Sequence, residues 1–430
     1  MIGKLPRPLE DEWRDALAAV ARERRLPSFD DPARLAPHVS ALADAYNDAS
    51  ASAPRLAGEG HLAARLGFSF VRDVPKVAGA VRELIAIGRV RVPADRALRV
   101  LDLGAGMGAS HRGLARALDA ASQVGAMEVV AIDSDSAALE IARAIAVKRP
   151  SEGGVTIELR TEVASLSALP RGRGDRGRYD VILCGQVLSE LDRDRSPDER
   201  IDAHRALLAS LVRDTLSADG TLVVVEPALR ARARHLQRVR SALLAASEAR
   251  VLAPCLHEGR CPLLGRETDW CHEDLAVDLP QWLVPVAKRA GLRWEGLTFS
   301  YLALAPARPT ARSLREAIHA GTGGAIERAV SGALVSKGKR ELVVCGDTLR
   351  PAVGDDDLLG PHGARIGRLD REASPLNVAL ANAGRGDVLE LCAPLDDKLR
   401  VRRDGLVRAI ERVAPPSTDA PPPSKDSKDR

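Results

Sequence analysis

Apolar residues recur at helical spacing through the first part of the chain. Trp13, Leu17 and Val20 fall on one face of a predicted helix, and residues 71–87 predict another. Near residue 97 this pattern gives way to short, continuous apolar runs. We therefore expect an N-terminal helical region over residues 1–95.

Five apolar runs with helical patterns between them predict the next part of the chain. These runs cover residues 98–103, 128–133, 155–159, 179–184 and 220–227. The helix after the fourth run begins with Ser196 as N-cap, Pro197 in its first turn and Glu199 completing a capping box. Strands that alternate with helices predict a parallel sheet covered on both faces.

The alternation breaks down in the second half. Residues 246–280 hold cysteines and prolines with little periodicity and form a predicted insertion, and residues 292–305 resume an extended pattern that suits closing antiparallel strands. Residues 310–412 predict a small β-barrel-like domain. Its strand-like runs are 341–345, 388–392 and 399–403. The Pro- and Ser-rich residues 413–430 predict a disordered tail.

Composition narrows the class of protein. The chain has 430 residues and is 45% hydrophobic but only 3% aromatic, which predicts two or three globular domains with aliphatic cores. The net charge of +4 permits a nucleic-acid partner without requiring one. Neither a signal sequence nor a membrane-spanning run is evident, and the Ala- and Arg-rich, Lys-poor usage favours a bacterial cytoplasm. There, cysteines are metal ligands or core residues rather than disulfides.

A glycine-rich loop follows the first predicted strand. Glycines allow a tight turn and a close approach of a ligand to the backbone. The loop and its acidic neighbours resemble the S-adenosylmethionine site of class I methyltransferases, so we expect that doubly wound, Rossmann-like α/β fold over residues 96–309. The predicted cofactor-binding residues are Asp102, Gly104, Ala105, Gly106, Gly108 and Asp133. Asp133, at the end of the second strand, is placed to hydrogen-bond the ribose hydroxyls, and Asp135 is a weaker candidate.

Three cysteines in the predicted insertion form the second constellation: Cys255, Cys261 and Cys271. A tetrahedral site needs a fourth ligand, for which Cys345 is the first candidate and Cys392 the second. Four thiolates suit a [4Fe–4S] cluster or structural zinc. His257 and His272 keep a mixed zinc site open. The spacing lacks the cysteine run of radical S-adenosylmethionine enzymes, and Cys184 ends an apolar strand as a small core residue.

Several segments together resemble a known family. They are Ala253–Pro262, Asp269–His272, Phe299–Leu302, Val187–Leu191 and Val225–Pro227. This series is similar to the methyltransferase-like family of small-ribosomal-subunit proteins, which has mitochondrial members and bacterial relatives. The resemblance implies a [4Fe–4S] cluster on Cys255, Cys261, Cys271 and Cys345. It also implies the small ribosomal subunit and its 16S-type rRNA as partners, with neither DNA nor a membrane.

Whether the fold carries an enzyme is a separate question. The fourth strand ends in Cys184-Gly185-Gln186-Val187-Leu188, which matches neither the Asn/Asp-Pro-Pro-aromatic turn of amine methyltransferases nor the Pro-Cys of cytosine-C5 enzymes. Glu190 and Asp192 are candidate general bases, but solvated acids ahead of the next helix are the favoured interpretation. Glu226 suits support of the sheet rim and contact with a substrate equally, so no catalytic residue is assigned. The sequence favours an assembly factor. An active rRNA methyltransferase and a small-molecule methyltransferase with structural zinc remain the alternatives.

Basic residues supply the expected contacts with rRNA phosphates. They are Arg230, Arg232, Arg234, Arg238 and Arg240 after the fifth strand, and Lys337, Lys339 and Arg340 beside Cys345. A solvated charged face is the competing interpretation.

Overall fold

The N-terminal part of the molecule is helical, as predicted. A computed structural model describes residues 6–47, 58–166, 178–294, 296–307, 312–346 and 362–410. The N-terminal elements are α1 (Asp11–Glu23), α2 (Pro32–Asn47), α3 (Glu59–Ala64), a π-helical turn (Arg65–Ser69) and α4 (Phe70–Ala86). Trp13 and Leu17 of α1 are fully buried, which confirms the apolar stripe.

A nine-stranded sheet forms the centre of the molecule. Its strands are β1 (Leu98–Leu103), β2 (Gly125–Asp133), β3 (Ser151–Glu152), β4 (Val155–Val163), β5 (Tyr179–Gly185), β6 (Leu216–Glu226), β7 (Arg250–Ala253), β8 (Glu273–Leu275) and β9 (Leu297–Ala305). The strand order is β3-β4-β2-β1-β5-β6-β9-β7, and β8 pairs with β9. The helices are α5 (Ala109–Ala120), α6 (Ser136–Lys148), α7 (Pro197–Ser210), α8 (Arg230–Ala245), α9 (Val284–Arg289) and α10 (Leu314–His319).

The strand order identifies the fold. β4, β2, β1, β5 and β6 are parallel, and β9 inserts antiparallel between β6 and β7. This is the class I methyltransferase arrangement, so the predicted fold is confirmed. The capping box that starts α7 at Ser196 is also present. The segment 246–280 differs from expectation, because its first residues form β7 inside the sheet before the irregular loop begins.

The N-terminal helices pack directly on the sheet domain. α4 lies along α5 so closely that a Cβ on Gly113 would stand 2.4 Å from the Val74 carbonyl oxygen. Side chains of α4, including Val81 and Leu84, join the strand residues of the main core. The helices therefore share a core with the sheet, and this contact places the turn at Arg65 above the carboxyl edge of β1.

A second, antiparallel sheet follows. Its strands are β10 (Ala325–Ala329), β11 (Leu334–Ser336), β12 (Lys339–Gly346), β13 (Gly363–Leu369), β14 (Val388–Leu391) and β15 (Val407–Ile410), and α11 (Val378–Asn382) packs against it. The order is β11-β12-β10-β14-β15, with β13 beside β12.

The C-terminal prediction is partly wrong in detail. Residues 341–345 and 388–391 are strands, but 399–403 hold only one bridge, from Arg400 to Gly367. The predicted tail, 413–430, lies outside the described residues. The domain boundaries themselves stay predictions. Among the described helices, none is long and apolar enough to cross a membrane.

Candidate functional site

The glycine loop after β1 has the backbone geometry of a ligand-binding turn. Gly104 has φ +63° and Gly106 has φ +52°, a region that residues with a Cβ rarely adopt. A Cβ on Gly104 would stand 2.5 Å from Val187 Cγ2, and one on Gly106 would stand 2.8 Å from Arg65 Nη2. Conformation therefore favours glycine at both positions, and at Gly104 the contact with Val187 also leaves no space for a side chain. Ala105, between them, is buried and donates its N–H to the Ile132 carbonyl at 3.0 Å.

Asp133 holds this loop from the end of β2. Its Oδ2 accepts the Gly106 N–H at 2.7 Å, and its Oδ1 accepts the Asp135 N–H at 2.8 Å. The carboxylate therefore ties the glycine loop to the turn before α6. Each oxygen keeps a further lone pair for a ligand hydroxyl, so the arrangement is compatible with a ribose contact.

Asp102 lies beneath the loop and is fully buried. Its Oδ2 accepts from His111 Nδ1 at 2.8 Å and from the His111 backbone N–H at 3.3 Å. Burial lowers the pKa of His111, although Asp102 opposes the shift. A Cβ on Gly108 would collide with the same imidazole. Asp102 thus fixes the first turn of α5 to β1 and supports the loop from below.

Arg65 of the N-terminal helical region lies over the glycine loop with Tyr46 beside it, and we call these two residues the roof. Arg65 Nη1 lies 2.7 Å from Asp135 Oδ2, and both side chains are largely shielded from solvent. Burial alone would raise the pKa of Asp135, but the Ala138 N–H and Arg65 outweigh it and lower that pKa. Tyr46 lies next to Arg65, and burial raises its pKa. The sequence does not reveal this contact, because nothing in the local pattern shows which arginine of the helical region meets the loop.

The carboxyl ends of β5 and β6 meet beside the loop. Glu226, the last residue of β6, is 2% exposed and accepts the Leu188 N–H on Oε1 at 2.8 Å. Burial raises the pKa of Glu226 to about 7. Asp192 lies 3.6 Å from buried His204, and Glu190 faces Tyr46. Of the three acids considered from the sequence, Glu226 is the one enclosed in the protein.

The predicted cysteine ligands come from two parts of the chain, the loop between β7 and β8 and strand β12. Cys255 follows β7, Cys261 precedes a 3₁₀ turn, Cys271 precedes β8, and Cys345 lies in β12. Cys261, Cys271 and Cys345 pack in one small cluster, and Cys255 lies near enough to raise the pKa of each of these three thiols. Cys392 is exposed, and its pKa responds to Glu390 and Arg408 instead.

Burial dominates the electrostatics of this group, which we call the four-cysteine group. It raises the pKa of Cys261 to about 11 and those of Cys271 and Cys345 well above the ordinary value. Arg240 and Arg328 act in the opposite direction. Free thiols here are neutral, while the cations nearby would favour the thiolates that a metal requires. In the described part of the chain, no group of three or more His, Cys, Asp or Glu side chains is arranged to hold a metal ion.

Two arginines of α8 bind the cysteine loop rather than solvent. Arg240 is fully buried and donates to the carbonyls of His257 at 2.6 Å and Gly259 at 2.8 Å. Arg234 donates to the carbonyls of Leu263 and Asp269 at 3.0 and 2.8 Å. The expected role as a phosphate contact is therefore corrected for Arg240, whose guanidinium orders the loop instead.

The other basic residues have mixed positions. Arg232 is partly buried and donates to the Tyr46 carbonyl at 2.7 Å, and Lys339 pairs with Glu341 at 2.8 Å. The exposed ones are Arg230, Arg238, Lys337 and Arg340.

Comparisons with known proteins give one family match and a set of structural neighbours. Residues 71–350 match the family model described as mitochondrial small ribosomal subunit Rsm22. The plantazolicin methyltransferase BpumL, solved with SAH, shares 11% identity over 69% of this chain and 97% of its own, with a TM-score of 0.32. A TehB-like SAM-dependent methyltransferase from Corynebacterium glutamicum shares 14% sequence identity with this chain. The match covers 54% of this chain and 87% of the other, with a TM-score of 0.27. No curated protein matches the chain.

Proposed function

Because the chain belongs to the mitochondrial small ribosomal subunit Rsm22 family, we propose that it is a methyltransferase-like factor that acts in assembly of the small ribosomal subunit. In this proposal it binds S-adenosylmethionine and carries a [4Fe–4S] cluster, and composition favours the bacterial cytoplasm. The observation that carries it is the four-cysteine group, because the match over residues 71–350 includes all four thiols and the glycine loop.

S-adenosylmethionine binding is supported by the geometry of the glycine loop. Asp133 tethers Gly106 at 2.7 Å and keeps lone pairs for the ribose hydroxyls. Gly104, Ala105 and Gly108 form the rest of the cradle, and Asp102 holds it to β1. The roof residue Arg65 lies over Gly106, where a cation suits the carboxylate of the cofactor's amino-acid part.

The cluster would be held by Cys255, Cys261, Cys271 and Cys345. Four thiols that share one buried site, with Arg240 and Arg328 beside them, suit a group whose thiolate ligands carry negative charge. When bound, the cluster supplies a covalent cross-link between the cysteine loop and the C-terminal sheet. Zinc on the same four thiols is the competing metal, and the metal content of the purified protein decides between them.

Contact with 16S-type rRNA is supported by the exposed basic residues. Arg230 and Arg238 lie on the solvent side of α8, while Lys337 and Arg340 lie on the β11–β12 hairpin. Such residues suit phosphate contacts, which contribute affinity and little sequence preference. Active methylation of rRNA is the second candidate function, and the enclosed carboxyl of Glu226 beside the glycine loop is the observation that favours it.

Crosslinking in cells, followed by RNA sequencing, tests the ribosomal role. The wild-type protein is compared with Gly106→Arg, whose new side chain would occupy the space between the glycine loop and Arg65. Gly332→Arg is the matched control, because a side chain at Gly332 meets open space. We expect rRNA of the small subunit to be enriched with wild type and Gly332→Arg. Enrichment no greater than with an untagged strain would refute the ribosomal role, and equal enrichment with Gly106→Arg would refute a role for the cofactor in binding.

A further inference from the structure

A small pocket lies beside the glycine loop, on the side away from Asp133. It has a volume of about 130 Å³ and is formed where β5 and β6 end and α8 begins. Leu188 lines it, and the adjacent Val187 packs against Gly104. In open α/β sheets, ligands bind at the carboxyl ends of the strands. The pocket thus occupies the part of the fold where a partner of the cofactor would sit.

Glu226 supplies the buried polar group of this pocket. Its Oε1 accepts the Leu188 N–H at 2.8 Å, and its Oε2 is shielded from solvent with no partner at hydrogen-bond distance in the described residues, while the Ser189 hydroxyl lies near enough to lower the pKa of the carboxyl. An unpartnered buried oxygen is costly, and structural carboxylates normally have both oxygens bonded. A ligand that hydrogen-bonds to Oε2 would remove this cost.

Three arginines also line the pocket, and two of them, Arg200 and Arg232, lie close enough to Glu226 to interact with its carboxyl electrostatically. Arg232 is fixed by its Nη2 on the Tyr46 carbonyl, and its Nη1 is buried without a partner in the described structure. Arg200 is held by the Leu191 and Leu188 carbonyls at 3.0 and 2.6 Å. Arg193 is the third arginine of the lining. Guanidinium groups that converge on a pocket select an anion, and phosphate is the group they bind best.

The remaining wall is neutral. His235 lines the pocket and lies 2.8 Å from His204 through Nε2 and Nδ1. Burial lowers both pKa values to about 4, so neither ring is charged at neutral pH. A volume of about 130 Å³ is close to the ~150 Å³ cavity that accommodates one benzene ring. The pocket therefore matches the size of a single six-membered ring better than that of a fused pair of rings.

We infer that this pocket receives one pyrimidine nucleotide of an RNA strand, with its base edge on Glu226 and its phosphate on Arg232 and Arg193. A base turned out of its strand presents such an edge to a protein cavity, which reads it by hydrogen bonds and packs aromatic or apolar side chains against it. The inference deepens the proposed function and rests on it in one respect, since it takes the RNA partner from there.

Binding of labelled RNA to the full chain tests the pocket. The probes are fluorescein-labelled hexauridine, hexaadenosine and an abasic hexamer with the same phosphates, measured by fluorescence anisotropy. Hexauridine is expected to bind at least tenfold more tightly than either of the others. Free uridine 5′-monophosphate, added as competitor, is expected to bind much more weakly than hexauridine. Equal affinities for hexauridine and the abasic hexamer would overturn the inference, as would a mononucleotide that binds as tightly as the strand.

Two variants test whether the preference for hexauridine depends on the pocket. Ala231→Trp, at an exposed position on the lining, would fill the cavity while leaving the Glu226 carboxyl in the chain, and should equalise the affinities for hexauridine and the abasic hexamer. Glu158→Gln, at an exposed position on β4, is the control and should bind hexauridine and the abasic hexamer with the same affinities as the wild type. An unchanged preference for hexauridine in Ala231→Trp would overturn the inference.

Calorimetry with S-adenosylhomocysteine on the same samples distinguishes a failure of the pocket assignment from a failure of the cofactor part of the proposed function. Retained S-adenosylhomocysteine binding in Ala231→Trp shows that the variant is folded and that its effect is confined to the pocket. If no sample binds S-adenosylhomocysteine while hexauridine is still preferred, the cofactor part of the proposed function fails and the pocket assignment stands. If S-adenosylhomocysteine binds and hexauridine has no preference, the pocket assignment alone fails.

Discussion

Arg328 and Glu83 form an ion pair that is closed off from solvent, with Arg328 Nη2 2.9 Å from Glu83 Oε2. Glu83 belongs to α4, whereas Arg328 belongs to β10 and lies opposite Cys345 in the strand register. Glu273, which follows the cysteine loop, lies 3.1 Å from Arg328 Nη1. The helical region, the cysteine loop and the C-terminal sheet therefore meet on one buried guanidinium.

Removal of one partner from this pair is expected to destabilise the protein strongly. Glu83→Gln leaves the Arg328 charge buried with less compensation, which typically lowers the free energy of unfolding by roughly 3–5 kcal/mol. Urea unfolding followed by circular dichroism measures the change. Glu140→Gln is the control, because the Glu140–Arg24 pair is solvent-exposed and its loss should cost less than about 1 kcal/mol. Similar costs for both variants would contradict the role assigned to burial.

Asp133→Ala is expected to weaken binding of S-adenosylhomocysteine by about tenfold or more. The substitution removes the acceptor that holds the Gly106 N–H, and a hydrogen bond to a charged group contributes roughly 1.5–3 kcal/mol. Isothermal titration calorimetry gives the affinity. Glu128→Ala, at an exposed position on the same strand, should bind like wild type. Equal affinity in Asp133→Ala and Glu128→Ala would show that the loop needs no support from Asp133.

The strands and the glycine loop could be predicted because their signals are local. A buried parallel strand is a continuous apolar run, and the run that becomes β1 is followed at once by the glycines. β7 escaped prediction because its four residues, Arg250–Ala253, merge with an irregular loop and carry no turn signal. Its place in the sheet is set by pairing with β9, a contact between segments distant in sequence.

The cysteines of the candidate site could be predicted from the sequence, but the roles of its arginines could not. The cysteines could be selected by type and by resemblance, and the structure brings the four selected thiols together while Cys392 lies apart. The roles of the arginines could not be predicted, because Arg240 and Arg238 look alike in a basic helix. Only the fold decides that Arg240 faces the cysteine loop.

Cys255→Ser is expected to lose the metal and to destabilise the C-terminal part, since metal binding is coupled to folding. Protein purified without oxygen should be brown and contain about four irons per chain, and the variant should be colourless and iron-poor. Cys392→Ser, at an exposed thiol away from the others, should keep its iron. One zinc per wild-type chain, or equal iron in Cys255→Ser, would contradict the proposed cluster.

Arg240→Met is expected to loosen the cysteine loop without changing the dependence of RNA binding on salt. The guanidinium donates to two loop carbonyls and is fully buried, so its loss leaves those acceptors unpaired at a cost of about 1–3 kcal/mol each. Limited proteolysis and iron content report on the loop. Arg238→Met is the matched control, and the opposite result is expected for it. Because Arg238 is exposed, its loss should alter the salt dependence of RNA binding and leave the cysteine loop intact. A reduced salt dependence in Arg240→Met would restore the phosphate role.

Glu226→Gln is expected to stabilise the protein in alkaline but not in acidic solution. Burial raises the pKa of Glu226 to about 7, against about 4.3 in an unfolded chain. Between these values the folded protein keeps a proton that the unfolded chain has released, so the free energy of unfolding falls as the pH rises and levels off above about pH 7. The Ser189 hydroxyl, the Leu188 N–H and Arg232 lower this pKa and Glu190 raises it, and burial outweighs the three that lower it.

The side-chain amide in Glu226→Gln would stay neutral at every pH, and its oxygen would still accept the Leu188 N–H. From pH 5 to pH 8 the wild type should therefore lose about 2–3 kcal/mol relative to Glu226→Gln, as follows from roughly 1.4 kcal/mol per unit of pKa difference. Urea unfolding at each pH measures this difference, and Glu158→Gln, at an exposed carboxylate, should follow the wild type throughout. A constant difference between wild type and Glu226→Gln across this range would mean that Glu226 is already ionised at pH 5, and that the pocket is more hydrated than its enclosure implies.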